Sequence, residues 1–196
     1  MWKKFIALIG FIFLTGCFSS GMNLSYLTPQ ETPFKARPIF LKVNDKRTDK
    51  NIVTPAVLAK DLFKDVGDRL SLTGKTTDGR TTAIKDATVK DALYEAFRLR
   101  MEALGLGVLP AFSEDNLSLV IDLEKVVLDL EGSRTFKAEV AYIYRISDGT
   151  KEVKSGKITG STEKFYVLGQ QDGEESLSGA LNNAVNNMDM RLFMSK

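Results

Sequence analysis

The sequence contains no histidine among its 196 residues. Imidazole is a common zinc ligand in proteins, and it is the base in Ser-His-Asp and Cys-His catalysis. The composition therefore excludes these catalytic arrangements and the familiar histidine-containing zinc sites. We expect no metal, no cofactor and no enzymatic activity.

The chain also has a single cysteine and little net charge. Cys17 is the only cysteine, so the chain forms no internal disulfide and its stability must come from packing. Two of the 27 basic residues and none of the 25 acidic ones lie in residues 1–16, so the rest of the chain has a formal charge of zero. A neutral domain has no overall field that favours nucleic acid, and we expect no nucleic-acid partner.

The first residues have the pattern of a secretion signal. Lys3 and Lys4 precede an apolar run, residues 5–14, and small residues follow it. A permanent membrane-spanning helix needs about 20 apolar residues, so this run is too short. The pattern is typical of a segment that is removed during export.

The tetrapeptide Leu14-Thr15-Gly16-Cys17 resembles the lipobox of bacterial lipoprotein precursors. The resemblance implies cleavage between Gly16 and Cys17, with membrane attachment through lipid on Cys17. It also implies that the protein is located at the outer membrane, because Phe18 rather than aspartate follows the cysteine, and that its domain faces the periplasm. Two alternatives are weaker: a plain cleaved signal would leave Cys17 as an odd thiol in an oxidising compartment, and an uncleaved anchor would need a longer apolar run.

The remaining chain is predicted to contain a tether and one domain. Residues 17–37 include Pro29 and Pro33 and show little apolar periodicity, which predicts a lipidated cysteine followed by a flexible tether. Residues 38–196 are enough for a single domain with a substantial core.

The clearest helix is predicted over residues 88–104. Thr88 and Asp91 form a capping pair, and Gly105 supplies a left-handed stop. Apolar residues, Phe97 among them, recur at helical spacing and are expected in the core.

Two further helical segments are predicted. A final helix is expected to open with Asp172 and Glu175 and to carry apolar residues as far as Leu192. A helical turn or two is expected in residues 57–66, with Leu58 facing inward.

Alternating apolar residues predict strands, and dipeptides ending in glycine predict tight turns at Asp78-Gly79 and Asp148-Gly149. The alternation changes phase at Glu124-Lys125, which predicts a bulge. Lysines in the last strand are typical of an exposed sheet edge. The predicted strands are 38–44, 70–73, 81–84, 106–112, 117–130, 138–146 and 151–167. The order of elements predicts an α+β fold in which an antiparallel or mixed sheet has two helices packed on one face.

Charged residues after the first strand invite a catalytic or metal interpretation. Asp45 and Asp49 are interleaved with Lys46, Arg47 and Lys50, so a structural ion-paired turn is the simpler prediction. Ser161 and Lys164 have the spacing of a catalytic pair but lie in a strand pattern. If the protein binds a partner, the surfaces expected to do so are the loop and the last strand, specifically Asp45, Arg47, Asp49, Lys154 and Lys157.

Three segments together resemble the YajG-type bacterial lipoproteins: Leu41-Lys-Val-Asn-Asp-Lys-Arg-Thr-Asp-Lys50, Lys90-Asp-Ala-Leu-Tyr-Glu-Ala-Phe97 and Leu104-Gly-Leu-Gly107. The paired long strands and the asparagine-rich last helix add to the resemblance. It implies an outer-membrane lipoprotein and no catalytic residue.

Two functions are compatible with these features. The favoured one is a lipid-anchored envelope module that binds a protein partner. The alternative is a carrier that holds an apolar ligand or lipid between the sheet and the helices. The sequence leaves the oligomeric state open.

Overall fold

The computed structural model describes residues 21–35, 37–64 and 66–193. The predicted signal, the cleavage point at Gly16 and the lipidation site at Cys17 lie outside the described residues. A short 3₁₀ helix, Met190–Phe193, follows the last α-helix. The other elements are β1 (Met22–Leu27), β2 (Ile39–Asp45), α1 (Pro55–Leu58), β3 (Arg69–Lys75), β4 (Thr81–Thr88), α2 (Val89–Ala103), β5 (Val108–Leu109), β6 (Leu117–Glu131), β7 (Thr135–Asp148), β8 (Lys151–Phe165) and α3 (Gln170–Asn186).

The strands form two sheets. The larger sheet has the order β5-β2-β6-β7-β8, with β2 parallel to both of its neighbours and the other pairs antiparallel. The smaller sheet has the order β1-β3-β4. Helices α2 and α3 pack against the larger sheet, and the buried apolar residues of both sheets and both helices form one core. The predicted α+β class with a mixed sheet is confirmed.

The long strands follow the alternation in the sequence. The inward positions of β6 and β7 are buried apolar residues, as half-buried strands require. The pairing of β6 with β7 shifts between Leu123 and Lys125, so the predicted bulge at Glu124 is confirmed. β8 is an edge strand, also as predicted.

Helix α2 is built as its sequence predicts. The Thr88 hydroxyl accepts a hydrogen bond from the backbone N–H of Asp91, and the Asp91 carboxylate accepts one from the backbone N–H of Thr88. Phe97 is fully buried, with its ring edge-to-face against Tyr142 at a centroid distance of 5.6 Å. Capping determines where the helix starts, and the packing of Phe97 on Tyr142 determines which face of the helix turns toward the core.

Helix α3 lies directly on β8. A side chain at Gly160 would place its Cβ 2.2 Å from the backbone nitrogen of Ala184, so only glycine permits this approach. The Tyr142 hydroxyl donates to the Ala184 carbonyl oxygen at 2.9 Å. The predicted start at Asp172 is wrong: the helix begins at Gln170, after Gly169.

The predicted tether is wrong in part, because Met22–Leu27 is a strand. β1 pairs in parallel with β3 and buries Met22, Leu24 and Tyr26. Its other edge is covered by α3. The backbone N–H groups of alternate β1 residues donate to side chains of α3, each at 2.9 Å: Asn23 to Glu174, Ser25 to Ser178 and Leu27 to Asn182. The folded domain therefore begins no later than Met22, sixteen residues before the predicted boundary.

The segment between β2 and α2 departs from prediction in detail. α1 is a single turn that ends at Leu58, and Leu58 is exposed rather than inward. The chain then takes positive φ at Asp61 and Phe63 instead of continuing as a helix. The β3–β4 hairpin and its turn at Gly79 are confirmed, whereas the predicted strand 106–112 is reduced to Val108–Leu109.

Candidate functional site

A groove of about 700 Å³ opens on the surface of the described part of the chain. Three segments form it: the strap between β1 and β2, the C-terminal end of α2, and the C-terminal end of α3 with the 3₁₀ helix. We call it the distal groove. Its lining mixes apolar, amide and charged side chains: Glu31, Thr32, Pro33, Phe34, Arg100, Leu104, Asn186, Asn187, Met188, Asp189, Met190 and Arg191.

Arg100 joins the three segments. Its guanidinium, with 3% of the side chain exposed, binds the two Glu31 carboxylate oxygens at 2.7 and 3.1 Å. It also donates to the carbonyl oxygens of Val185 and Met188, at 2.5 and 2.8 Å. A cation at these carbonyls satisfies free acceptors at the end of α3 and favours the helix dipole. Arg100 therefore holds the groove in shape.

Two buried tyrosines, Tyr26 and Tyr142, donate hydrogen bonds to the C-terminal part of α3, where Arg100 also binds. The Tyr26 hydroxyl donates to the Asn186 side-chain oxygen at 2.9 Å, which links β1 to the end of α3. Burial raises the pKa of both Tyr26 and Tyr142, and the nearby Arg100 charge only partly opposes this. Both phenols are therefore neutral hydrogen-bond donors at ordinary pH.

The outer rim of the groove is charged. Arg191 donates to Asp189 at 2.8 Å, and this hydrogen bond lowers the pKa of the Asp189 carboxyl. The charge of Lys154 on β8 contributes to the same lowering. The C-terminal part of α3 packs directly on β8, with Ala184 against Gly160. The predicted partner strand and the distal groove are therefore neighbours.

The loop after β2 is an ion-paired turn, as predicted. Arg47 has 1% of its side chain exposed and contacts the carboxylates of Asp45 and Asp68. Burial raises the pKa of Asp45, but hydrogen bonds from Arg47 and Lys50 outweigh it and lower that pKa to about 2. The prediction that Arg47 contributes to a partner surface is wrong, because a partner cannot reach it.

The other residues of this predicted surface differ in availability. Asp45 is mostly covered by its partners, and Asp49 is exposed and accepts a hydrogen bond from the Asn51 backbone N–H. On β8, Lys154 is exposed and Lys157 forms an ion pair with Glu124 at 2.7 Å. Whether Asp49, Lys154 and Lys157 bind a partner stays a prediction.

The uncovered part of the β8 edge carries features that discourage strand pairing. The pairing of β7 with β8 shifts next to Val153, and lysines flank this bulge. Bulges and edge lysines both hinder the addition of another strand. The distal groove is therefore the better candidate for a partner site than the strand edge.

Ser161 and Lys164 do not form a catalytic pair. Residues three apart in a strand point to opposite faces, and Lys164 is paired with Glu175 of α3. Within residues 21–35, 37–64 and 66–193, no group of three or more histidine, cysteine or acidic side chains is arranged to hold a metal ion.

In the described residues, buried apolar side chains pack between the larger sheet and the helices. The apolar cavity there has a volume of about 10 Å³, roughly that of one water molecule at most. A lipid chain does not fit, so this structure does not support the alternative prediction of a carrier.

Sequence patterns alone do not identify the residues that build the groove. Arg100 falls on the buried side of α2, where a helical pattern predicts an apolar residue. A charged residue at such a position is the one sequence feature that indicates a buried ion pair there. Glu31 lay in the presumed tether. Asn186 is one of several asparagines in the last helix, and the sequence alone does not distinguish it from the others.

Different elements form the two ends of the domain. Antiparallel packing of α3 on β8 places the end of α3 beside the start of β8, so the distal groove lies at one end. At the other end are the turn between β6 and β7, the start of α3 and the start of β1, where Asn23 contacts Glu174. We call this second end the N-terminal end. The chain enters the fold opposite the groove.

The chain matches no protein-family model and no curated protein sequence. Its fold is similar to that of a Xanthomonas campestris protein of the DUF330 family, with 12% identity, a TM-score of 0.53, and coverage of 84% of this chain and 90% of that one. A candidate lipoprotein from Caulobacter crescentus aligns over 47% of this chain and 71% of its own, with 13% identity and a TM-score of 0.34.

The similarity to the DUF330 protein defines a shared α+β fold and no activity. The YajG-type resemblance stays a prediction. In the part of the chain that the structure describes, no helix has the length and apolar character needed to cross a membrane.

Proposed function

We propose that this protein is a lipid-anchored envelope module of the bacterial outer membrane that binds a protein partner in its distal groove. It performs no catalysis. Attachment is through lipid on Cys17, and the domain faces the periplasm. The lipobox-like tetrapeptide supports the attachment, and the position of the groove supports the binding role.

The observation that carries the proposal is the placement of the groove opposite the N-terminal end. A chain anchored just before β1 directs the N-terminal end toward the membrane and the groove away from it. The groove is also pre-formed, because Arg100 fixes its walls through Glu31 and two carbonyls of α3. A pre-formed groove with mixed polar and apolar lining suits a peptide segment, since little ordering is needed on binding.

Attachment is tested by replacing Cys17 with alanine. The variant should lose lipid, as measured by the mass of the chain, and should leave the outer-membrane fraction or remain unprocessed. A fully processed variant that still fractionates with the outer membrane contradicts the anchor.

Binding is tested with a photo-crosslinking amino acid in the intact cell envelope. Thr32 and Asn187 are exposed positions in the groove, and Thr81 on β4 is an exposed control. The two groove positions should give the same adduct, and Thr81 should not. Lys157 is a second probe position, for the strand edge.

A second variant connects the adduct to the groove itself. Asn187→Arg adds a bulky cation at an exposed position, so it should abolish the adduct from Thr32 while leaving the melting temperature unchanged. An adduct that persists in this variant, or that forms only from Lys157, contradicts the groove as the partner site.

A further inference from the structure

The segment Phe165–Leu168 joins β8 to α3 at the N-terminal end, and it exposes apolar side chains. Phe165 is 74% exposed, Val167 76% and Leu168 64%. Three neighbouring side chains of this size on a short loop are unusual on a monomer surface, where such residues are normally scattered singly.

The backbone of this loop is held in place. Tyr166 packs its ring on Phe136 at 5.5 Å, and its backbone N–H donates to the Arg134 carbonyl oxygen at 2.8 Å. The buried Asp172 carboxylate accepts hydrogen bonds from the backbone N–H groups of Val167, at 2.7 Å, and Leu168. The exposed side chains therefore lie on a loop whose backbone is fixed by hydrogen bonds.

The chain enters the domain at the same end. Asn23 at the start of β1 donates to Glu174 of α3, two turns or less from the loop. Gly21 lies four positions after Cys17 in the sequence, and even a fully extended chain of that length spans only about 14 Å. A lipid on Cys17 thus keeps this end of the domain within about that distance of the bilayer surface.

We propose that the loop Phe165–Leu168 inserts its exposed side chains into the membrane interface and forms a second attachment beside the lipid on Cys17. The inference rests on the proposed lipid anchor. Amphipathic and aromatic side chains bind at the headgroup boundary, and an anchor that already holds the loop near the bilayer removes most of the cost of bringing it there. The contact fixes the orientation of the domain, with the distal groove pointing away from the membrane.

The test uses tryptophan as a depth probe. The only tryptophan in the sequence is Trp2, which is removed with the signal, so the processed chain has no background tryptophan emission. Leu168→Trp is the probe. Val153→Trp is the matched control, because Val153 is an apolar residue with 54% exposure on the same strand–loop unit but at the other end of β8.

Each full-length variant is expressed, processed in cells, purified and reconstituted into phosphatidylethanolamine–phosphatidylglycerol vesicles, with and without phospholipid brominated high on the acyl chain. We expect the brominated lipid to quench Leu168→Trp at least twofold and its emission to be blue-shifted, while Val153→Trp is unaffected. Equal quenching at the two positions overturns the inference. A blue shift at Leu168→Trp without quenching also overturns it, since the loop then contacts protein or a second copy of the chain.

The mass of the purified chain separates this inference from the proposal on which it rests. A lipidated chain whose loop is not quenched refutes the membrane contact alone. A processed chain without lipid on Cys17 refutes both.

Discussion

The side chain of Asn182 bonds to the backbone of Ser25 as a neighbouring strand would. Its amide nitrogen donates to the Ser25 carbonyl oxygen at 2.8 Å, and its amide oxygen accepts from the Leu27 backbone N–H at 2.9 Å. Helix α3 thereby closes the outer edge of β1 without being a strand. An open edge at this position would be a site for aggregation.

Replacing Asn182 with alanine should destabilise the domain. The backbone groups of β1 lose two hydrogen-bond partners at an exposed edge, each worth about 0.5–1.5 kcal/mol, so the free energy of unfolding should fall by about 1–3 kcal/mol. For a chain of this size the melting temperature should fall by about 2–4 °C for each kcal/mol. Asn187→Ala, at the exposed position that follows the last residue of α3, is the control and should melt as the wild type does. Equal melting of the two variants would contradict this role of Asn182.

Gly160→Ala should disrupt the packing of α3 on β8. The added methyl would lie 2.2 Å from the Ala184 nitrogen and 2.3 Å from the Ala180 carbonyl oxygen, so the helix must move. We expect a loss of about 1–3 kcal/mol or more in chemical denaturation. Gly107→Ala is a matched control, because its new methyl meets only Pro38 at an ordinary 3.7 Å. If both variants unfold at the same denaturant concentration, the close approach is not as described.

Asp45→Asn should reduce stability at neutral pH and not at acid pH. The folded pKa of Asp45 is about 2 and its ordinary value is 3.8, so its charged form contributes stability above pH 4 and loses that contribution as the pH falls toward 2. Solvent screening keeps the contribution to about 1–2 kcal/mol. Unfolding curves between pH 2 and 7 measure it. Asp49→Asn is the control, and a difference from wild type that does not shrink with acid would be evidence against the ion pair.

Phe97→Ala should cost about 3–5 kcal/mol, because the ring is fully buried and contacts Tyr142. That is a large part of the stability of a typical domain. Phe112→Ala removes a ring that is 49% exposed and should cost much less. Thermal unfolding of the two variants tests whether α2 is the centre of the core.

Asp172→Asn should loosen the loop Phe165–Leu168. The carboxylate accepts backbone N–H bonds from both Val167 and Leu168, and an amide oxygen is a weaker acceptor than a charged one. Hydrogen exchange at these two amides should become several-fold faster. Exchange at Asp91, whose backbone N–H is bonded within the α2 cap, serves as the reference and should not change. Unchanged exchange in the loop would mean that Asp172 does not hold it.

Local signals predicted the parts of the fold that local interactions determine. The cap at Thr88, the phase change at Glu124 and the turn at Gly79 each depend on residues a few positions apart, and all three are confirmed. β1 could not be predicted in the same way. Its six residues look like a linker because their partners are β3, nearly fifty residues on, and α3, more than 150 residues on.

The candidate site was harder to predict than the fold. The floor of the groove depends on Arg100 reaching Glu31 across 69 residues and Val185 across 85. A buried arginine within an apolar stripe signals that it has partners but does not identify them. The exposed loop was missed for a related reason: Tyr166 and Val167 fit a strand pattern, and alternation alone does not show where a strand stops pairing.

The position of β1 also determines the order in which the domain can be completed. Its inner edge needs β3, and its outer edge needs side chains as far along the chain as Asn182. In a chain that grows from its N-terminus, the outer edge of Met22–Leu27 therefore stays uncovered until nearly all of the remaining residues have been made. A product truncated before α3 would keep the outer edge of its first strand uncovered and available to pair with a strand of another chain.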